Sequence, residues 1–171
     1  MFDPTVFENL KVAFENQLYD LDNLSGRIKI INRTDQLVMS NMSREFTLQF
    51  ELADQSKVTG EIHLQASLED LAVEILEIPG ETPGCTLTLR FYLQVEDAQE
   101  QCPQVEEVLQ AIWKQEHRPT QIISFVYGEE PAVYTDIVEM KFHRKVNEDQ
   151  MGDIPDLIQH VLKTITELGS I

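Results

Sequence analysis

An alternation of apolar and polar residues dominates the middle of the chain, from Arg44 to Glu96. Apolar side chains occupy every second position in three runs, over residues 46–52, 58–66 and 85–95. Because successive side chains of a strand point to opposite faces of the sheet, each run predicts a strand with one buried and one solvated face. Strands with a solvated face are typical of antiparallel sheets, since parallel sheets are usually covered on both sides.

Three other stretches repeat their apolar residues at helical spacing and predict amphipathic helices. Prolines, glycines and capping residues mark their limits. The predicted limits are Asp3-Pro4 to about residue 23 for the first helix, Cys102-Pro103 to Pro119 with His117 in the last turn for the second, and Asp153–Pro155 to Gly169 for the third.

Two segments leave alternatives open. Residues 27–32 predict a short strand and residues 33–36 a turn, so residues 37–39 are either a second short strand or the start of a long one. Residues 70–78 alternate and then slip in phase, which favours a strand with a bulge. A short helix that starts near Ser67 is the alternative, because Ser-Leu-Glu-Asp is also typical of a helix entry.

Two strands are predicted after the second helix. Residues 122–127 are apolar on both faces, which indicates a central or covered strand. Residues 134–146 predict one long strand, because apolar and polar side chains alternate through Val138, Met140 and Phe142.

These elements predict one α+β domain over residues 1–171. Three amphipathic helices need an apolar surface, and the sheet offers one. The expected architecture is a two-layer sandwich with a mostly antiparallel sheet of about six to seven strands, in the order α-β(about five)-α-β-β-α.

The charge of the chain limits its partners. Asp and Glu number 30 against 13 Lys and Arg, which gives a net charge of −17. Binding to nucleic acid or to an anionic membrane surface depends on Lys and Arg, so we expect neither. The acidity favours solubility, and the alternative is a surface that attracts a basic partner. Two cysteines, no leader-like N-terminus and no apolar run long enough to span a membrane predict a cytoplasmic protein.

No recognisable catalytic, nucleotide-binding or metal-binding motif is present, so we assign no catalytic residue and expect no cofactor and no metal. The candidate ligand site is a group of side chains on the solvated strand faces, namely His63, Arg90, Tyr92 and His143. If their strands were neighbours, imidazole, guanidinium and phenol groups would share one face and suit an anionic ligand or proton transfer. Scattered surface residues are the alternative.

Residues 141–145 form a dense basic cluster in this acidic chain. Lys141, Arg144 and Lys145 are candidates for binding a partner. The alternatives are ion pairing within the chain, and protection of an edge strand against unwanted pairing.

In profile, a small acidic α+β chain with several amphipathic helices resembles the bacterial secretion-type chaperones, which dimerise and hold a segment of a client. The strands before the second helix depart from the order of that family. The absence of catalytic motifs, the strong acidity and the three apolar helix stripes predict a non-enzymatic protein-interaction or chaperone-like adaptor module. We expect it to be a homodimer or to bind a protein partner, through an apolar helix face or a sheet edge. The alternative is a small-ligand-binding protein or enzyme with a pocket between sheet and helices, lined by Tyr92, Trp113 and Tyr127.

Overall fold

The computed structural model describes residues 5–114 and 118–171. The predicted start signal Asp3-Pro4 and the predicted position of His117 lie outside the described residues. The helices are α1 (Thr5–Asn23), α2 (Leu68–Leu76), α3 (Ala98–Trp113) and α4 (Ile154–Leu168), with a 3-10 helix at Glu148–Asp153 before α4. The strands are β1 (Ile28–Val38), β2 (Ser43–Leu52), β3 (Gln55–Ala66), β4 (Thr86–Val95), β5 (Thr120–Ser124) and β6 (Tyr134–Lys141).

One six-stranded sheet forms the first layer of an α+β sandwich, as predicted. Its strand order is β1-β2-β3-β4-β6-β5, and every neighbouring pair is antiparallel. Helices α1, α3 and α4 form the second layer, and their apolar stripes pack on the alternating apolar residues of the strands. The core is centred on phenylalanines from α1 and the sheet, all shielded from solvent: Phe7, Phe14, Phe46, Phe50 and Phe91.

The strand favoured for residues 70–78 is wrong, and the alternative helix is confirmed. Ser67 and Asp70 form a capping box, in which the Ser67 hydroxyl accepts from the Asp70 N–H and the Asp70 carboxylate accepts from the Ser67 N–H. Two free donors of the first helical turn are thereby satisfied. This cap explains why residues that alternate only weakly form the helix α2. The described chain therefore has four α-helices, whereas the sequence predicted three.

The turn predicted at residues 33–36 is also wrong, because these residues lie inside β1. The strand continues to Val38, and its register with β2 shifts between Ile30 and Asn32. This bulge moves Arg33 and Asp35 to the helix side, where Arg33 pairs with Glu15 of α1. Tertiary ion pairs thus hold polar residues in a strand that local turn propensity disfavours.

Two further boundaries differ. Helix α3 begins at Ala98 rather than at Cys102, because the Asp97 carboxylate caps the N–H groups of Gln99 and Glu100. Strand β6 ends at Lys141 rather than at Val146, and Val146 instead forms an isolated bridge with Cys85.

Candidate functional site

The face of the sheet opposite the helices carries polar side chains in rows that run across the strands. The central row consists of Glu139, Arg90, Glu61 and Gln49, each directly paired with the next. Tyr92 lies one row away on β4, opposite Ile137 of β6. These cross-strand neighbours are close enough for direct bonds between charged and polar groups.

Glu61 is the centre of this network and is almost fully buried. Its carboxylate accepts from Gln49 Nε2 at 2.8 Å, from Arg90 Nη1 at 2.8 Å and from the Tyr92 hydroxyl at 3.1 Å. Arg90 Nε donates to Glu139 at 2.8 Å. Burial opposes the charge of Arg90, but its bonds to both carboxylates outweigh burial and raise the pKa of the guanidinium above its ordinary value. Arg90 is therefore held between two carboxylates. Their negative charges offset its positive charge and weaken its attraction for an anionic ligand.

Three of the four candidate ligand residues share this face, because β3 and β4 are neighbours that carry His63, Arg90 and Tyr92. The His63 Nε2 lies 3.8 Å from a Glu45 oxygen, and its Nδ1 is buried without a hydrogen bond to any described residue. Burial and then the charge of Arg90 lower the pKa of His63, so its neutral form is favoured. His143 is exposed in the bend after β6, beyond the end of the rows.

The basic cluster begins at the end of β6, where Lys141 pairs with Thr88 of β4 and the pairing with β5 has already stopped at Glu139. Lys145 Nζ contacts Asp70 of α2 at 3.0 Å and donates to the Thr86 hydroxyl at 2.9 Å. Lys141 and Arg144 are exposed. Lys145 therefore joins α2 to the start of β4, in agreement with the alternative that the basic residues form ion pairs within the chain.

One edge of the sheet is formed by a strand with exposed apolar side chains. The strand predicted as central or covered is β5, which lies at the edge and pairs only with β6 among the described strands. Its solvent-exposed apolar side chains, together with those that follow it, are Ile122, Phe125, Val126 and Tyr127. Residues 119–128 contain no charged residue. An exposed apolar edge strand presents unpaired N–H and C=O groups that readily pair with another strand.

A buried polar group lies beneath this edge. Asp136 of β6 points into the core, is 0% exposed and has no hydrogen bond to Oδ1 within the described chain. Its Oδ2 lies 4.0 Å from the Cys102 sulfur on α3, and the buried Gln121 Oε1 on β5 likewise has no donor there. Burial raises the pKa of Asp136 to about 6. Burial and then Asp136 raise the pKa of the Cys102 thiol, so this cysteine favours the unreactive thiol form.

Within residues 5–114 and 118–171, no group of three or more His, Cys, Asp or Glu side chains is arranged to hold a metal. A cleft of about 760 Å³ is open to solvent where β3 begins and β4 ends, and its lining includes Tyr92, Thr59 and Gln94. Trp113 instead donates to Thr164 on the helix side, and Tyr127 is exposed beyond β5. The three aromatic residues expected to line one pocket are therefore apart.

No known family model matches the chain, and neither a curated protein nor a solved structure matches it. None of the described helices is both long enough and apolar enough to cross a membrane. The free β5 edge escaped prediction from the sequence, although one signal was present: an uncharged run at residues 119–128 in a chain of net charge −17.

Proposed function

We propose that this protein is a cytoplasmic, non-enzymatic protein-interaction module of a chaperone-like adaptor class, and that it forms a homodimer through the β5 edge. The observation that carries the proposal is the β5 edge itself, which is uncharged, apolar and exposed in a strongly acidic chain. The protonated Cys102 thiol and the neutralised Arg90 support a role without covalent catalysis or anion binding.

The two edges of the sheet differ in a way that favours β5 as the interface. Edge strand β1 carries Lys29, Arg33 and Asp35 and is interrupted by a bulge. Charges and bulges are the devices by which sheets avoid edge-to-edge pairing. Strand β5 has neither device, and its apolar residues on both faces are typical of a strand that is covered. A second copy would pair with the open edge of this strand and place its own apolar side chains beside those of β5.

Pairing of two β5 strands about a two-fold axis would be antiparallel and would join two six-stranded sheets into one sheet of twelve strands. Each Ile122 and each Phe125 would then meet apolar residues of the other copy. The charge supports the same geometry, because two chains of net charge −17 repel each other most weakly where both surfaces are uncharged.

The test is sedimentation equilibrium of the wild type and of two matched variants at about 100 μM, well above a micromolar dissociation constant. Ile122→Lys places a charge on the β5 edge, where the side chain is 51% exposed. Ile31→Lys places the same charge on the β1 edge, where the side chain is 44% exposed. We expect the wild type and Ile31→Lys to be dimers and Ile122→Lys to be a monomer with an unchanged circular dichroism spectrum.

Salt gives a second measurement. Because the acidic surfaces repel each other, the dimer should become tighter as NaCl rises from about 0.05 M to about 0.5 M. A monomeric wild type at every salt concentration would overturn the proposal, as would equal dimerisation of both lysine variants.

A further inference from the structure

Helix α2 presents its apolar side to solvent. Leu71 is buried against the core, whereas Leu68, Ile75 and Leu76 are exposed. With Ala72, these three residues recur at i, i+4, i+7 and i+8, so they lie on one side of the helix. We call this stripe the outer face of α2. An amphipathic helix normally buries such a stripe, so an exposed one is typical of a surface that binds a partner.

The charges around the outer face are negative. Helix α2 contains Glu69, Asp70 and Glu74 and no basic residue, and Glu77 follows as its C-cap. Carboxylates are unfavourable near a helix C-terminus, because the helix dipole is negative at that end. Asp70 is already paired with Lys145, whereas Glu77 is held at a φ of 47°, where glycine is the usual residue. The C-terminal end of α2 therefore favours an added positive charge.

We infer that the outer face of α2 binds a basic amphipathic helical segment of a partner protein. Leucine-like side chains of that segment would cover Leu68, Ile75 and Leu76, and its Lys or Arg side chains would face Glu69 and Glu77. A second copy of this chain fits poorly, because it would bring carboxylates against carboxylates.

The β1–β2 hairpin lies at the same end of the sheet as the start of α2. Arg44 pairs with Leu37 on β1 and with Ala66 on β3, and α2 starts two residues after Ala66. The hairpin tip carries the exposed Met39 and Met42. Methionine side chains are flexible and polarizable, which suits a surface that accommodates a partner helix.

This inference rests on the proposed interaction role and names the chemistry of its partner. The probe is a fluorescent synthetic helical peptide of about 18 residues, with Leu at i, i+3, i+4 and i+7 and Lys at the other positions. A peptide with Glu in place of Lys is its control. Fluorescence anisotropy measures affinity, and amide chemical-shift mapping of the full chain locates the bound peptide.

The matched variants keep the net charge and remove apolar surface. The double variant Leu68→Gln, Leu76→Gln changes the outer face, where Leu76 is 69% exposed; Leu24→Gln changes a remote residue that is 80% exposed. We expect the outer-face variant to bind the Lys peptide at least about tenfold more weakly, Leu24→Gln to bind as the wild type does, and shifts to cluster on α2.

Equal binding by both variants would overturn the inference, since only general electrostatic attraction would then remain. Equal affinity for the Glu peptide would also overturn it. Loss of the dimer in the outer-face variant would overturn it too, by placing a second copy on α2. These outcomes are independent of Ile122→Lys, which tests the β5 edge, so failure of one proposal is distinguishable from failure of the other.

Discussion

Asp136→Asn should stabilise the protein at neutral pH and not at acidic pH. The Asp136 carboxyl is fully buried, and burial raises its pKa from the ordinary 3.8 to about 6. The folded state therefore holds this proton more tightly than the unfolded state does. At a pH below 3.8 both states are protonated and Asp136 costs no stability. As the pH rises toward about 6, the unfolded state ionises first and stability is lost.

The size of the effect follows from that difference in pKa. One pKa unit corresponds to about 1.4 kcal/mol, so a rise from 3.8 to about 6 costs about 3 kcal/mol of unfolding free energy at neutral pH. Asparagine has nearly the shape of aspartic acid and stays uncharged. The substitution should thus remove the cost without leaving a cavity.

Urea unfolding at pH about 4 and pH about 7.5 measures the difference between variant and wild type. We expect a gain of about 3 kcal/mol at the higher pH and little gain at the lower pH. Asp54→Asn, which alters an exposed carboxylate in the β2–β3 turn, is the control and should change little at either pH. An equal gain for Asp136→Asn at both pH values, or a loss at pH about 7.5, would refute the reasoning.

Two predictions concern the packing of the sheet, and urea unfolding measures both. Arg90→Met removes the charged donor of the buried Glu61 carboxylate and should lower the free energy of unfolding by about 2–4 kcal/mol. Adding Glu61→Gln should restore part of that loss. An unchanged urea midpoint would show that the network does not contribute to stability. Gly60→Ala places a methyl group 2.6 Å from Ile165 Cδ1, beneath α4, and should lower the free energy of unfolding by about 1–3 kcal/mol. Gly152→Ala is the control, because its methyl group meets no atom within 4 Å and should leave the stability nearly unchanged.

The alternating strands were the most predictable part of this fold. Phe46, Leu48 and Phe50 on β2, like Leu87, Leu89 and Phe91 on β4, bury one face and leave the other polar, so local pattern and tertiary burial agree. The helical stripes of α1 and α4 were predictable for the same reason. Such agreement between local and global preference is what allows a sequence to be interpreted directly.

Other elements depend on contacts that a linear pattern does not contain. Residues 33–36 have turn propensity, yet they remain in β1. Glu15 and Lys11 of α1 pair with Arg33 and Asp35 across the sheet–helix boundary, and Arg44 of the neighbouring β2 also pairs with Asp35. Strand order is equally hidden, because β5 follows α3 in the chain but lies outside β6 in the sheet. The apolar pattern of β5 predicted a central or covered strand, whereas β5 lies at an edge of the sheet.

The candidate site was predictable only in part. His63, Arg90 and Tyr92 do share a face, since adjacent runs of period two pair as neighbours. The two carboxylates that hold Arg90 could not be selected in advance, because 30 acidic residues compete for the pairing in the sequence. Only the register, with Arg90 opposite Glu61 on one side and Glu139 on the other, decides which of them meet.

The distribution of charge separates the two proposed interaction surfaces. The β5 edge is uncharged, so a partner of net charge −17 can approach it, and a second copy meets that requirement. The outer face of α2 is bordered by Glu69 and Glu77, which disfavours a second copy and favours a cationic helix. Because the two surfaces share no residue, pairing through β5 leaves both α2 helices of a dimer available. A dimer would then offer two sites for basic segments, and a partner with two such segments would bind more tightly than its single segments do.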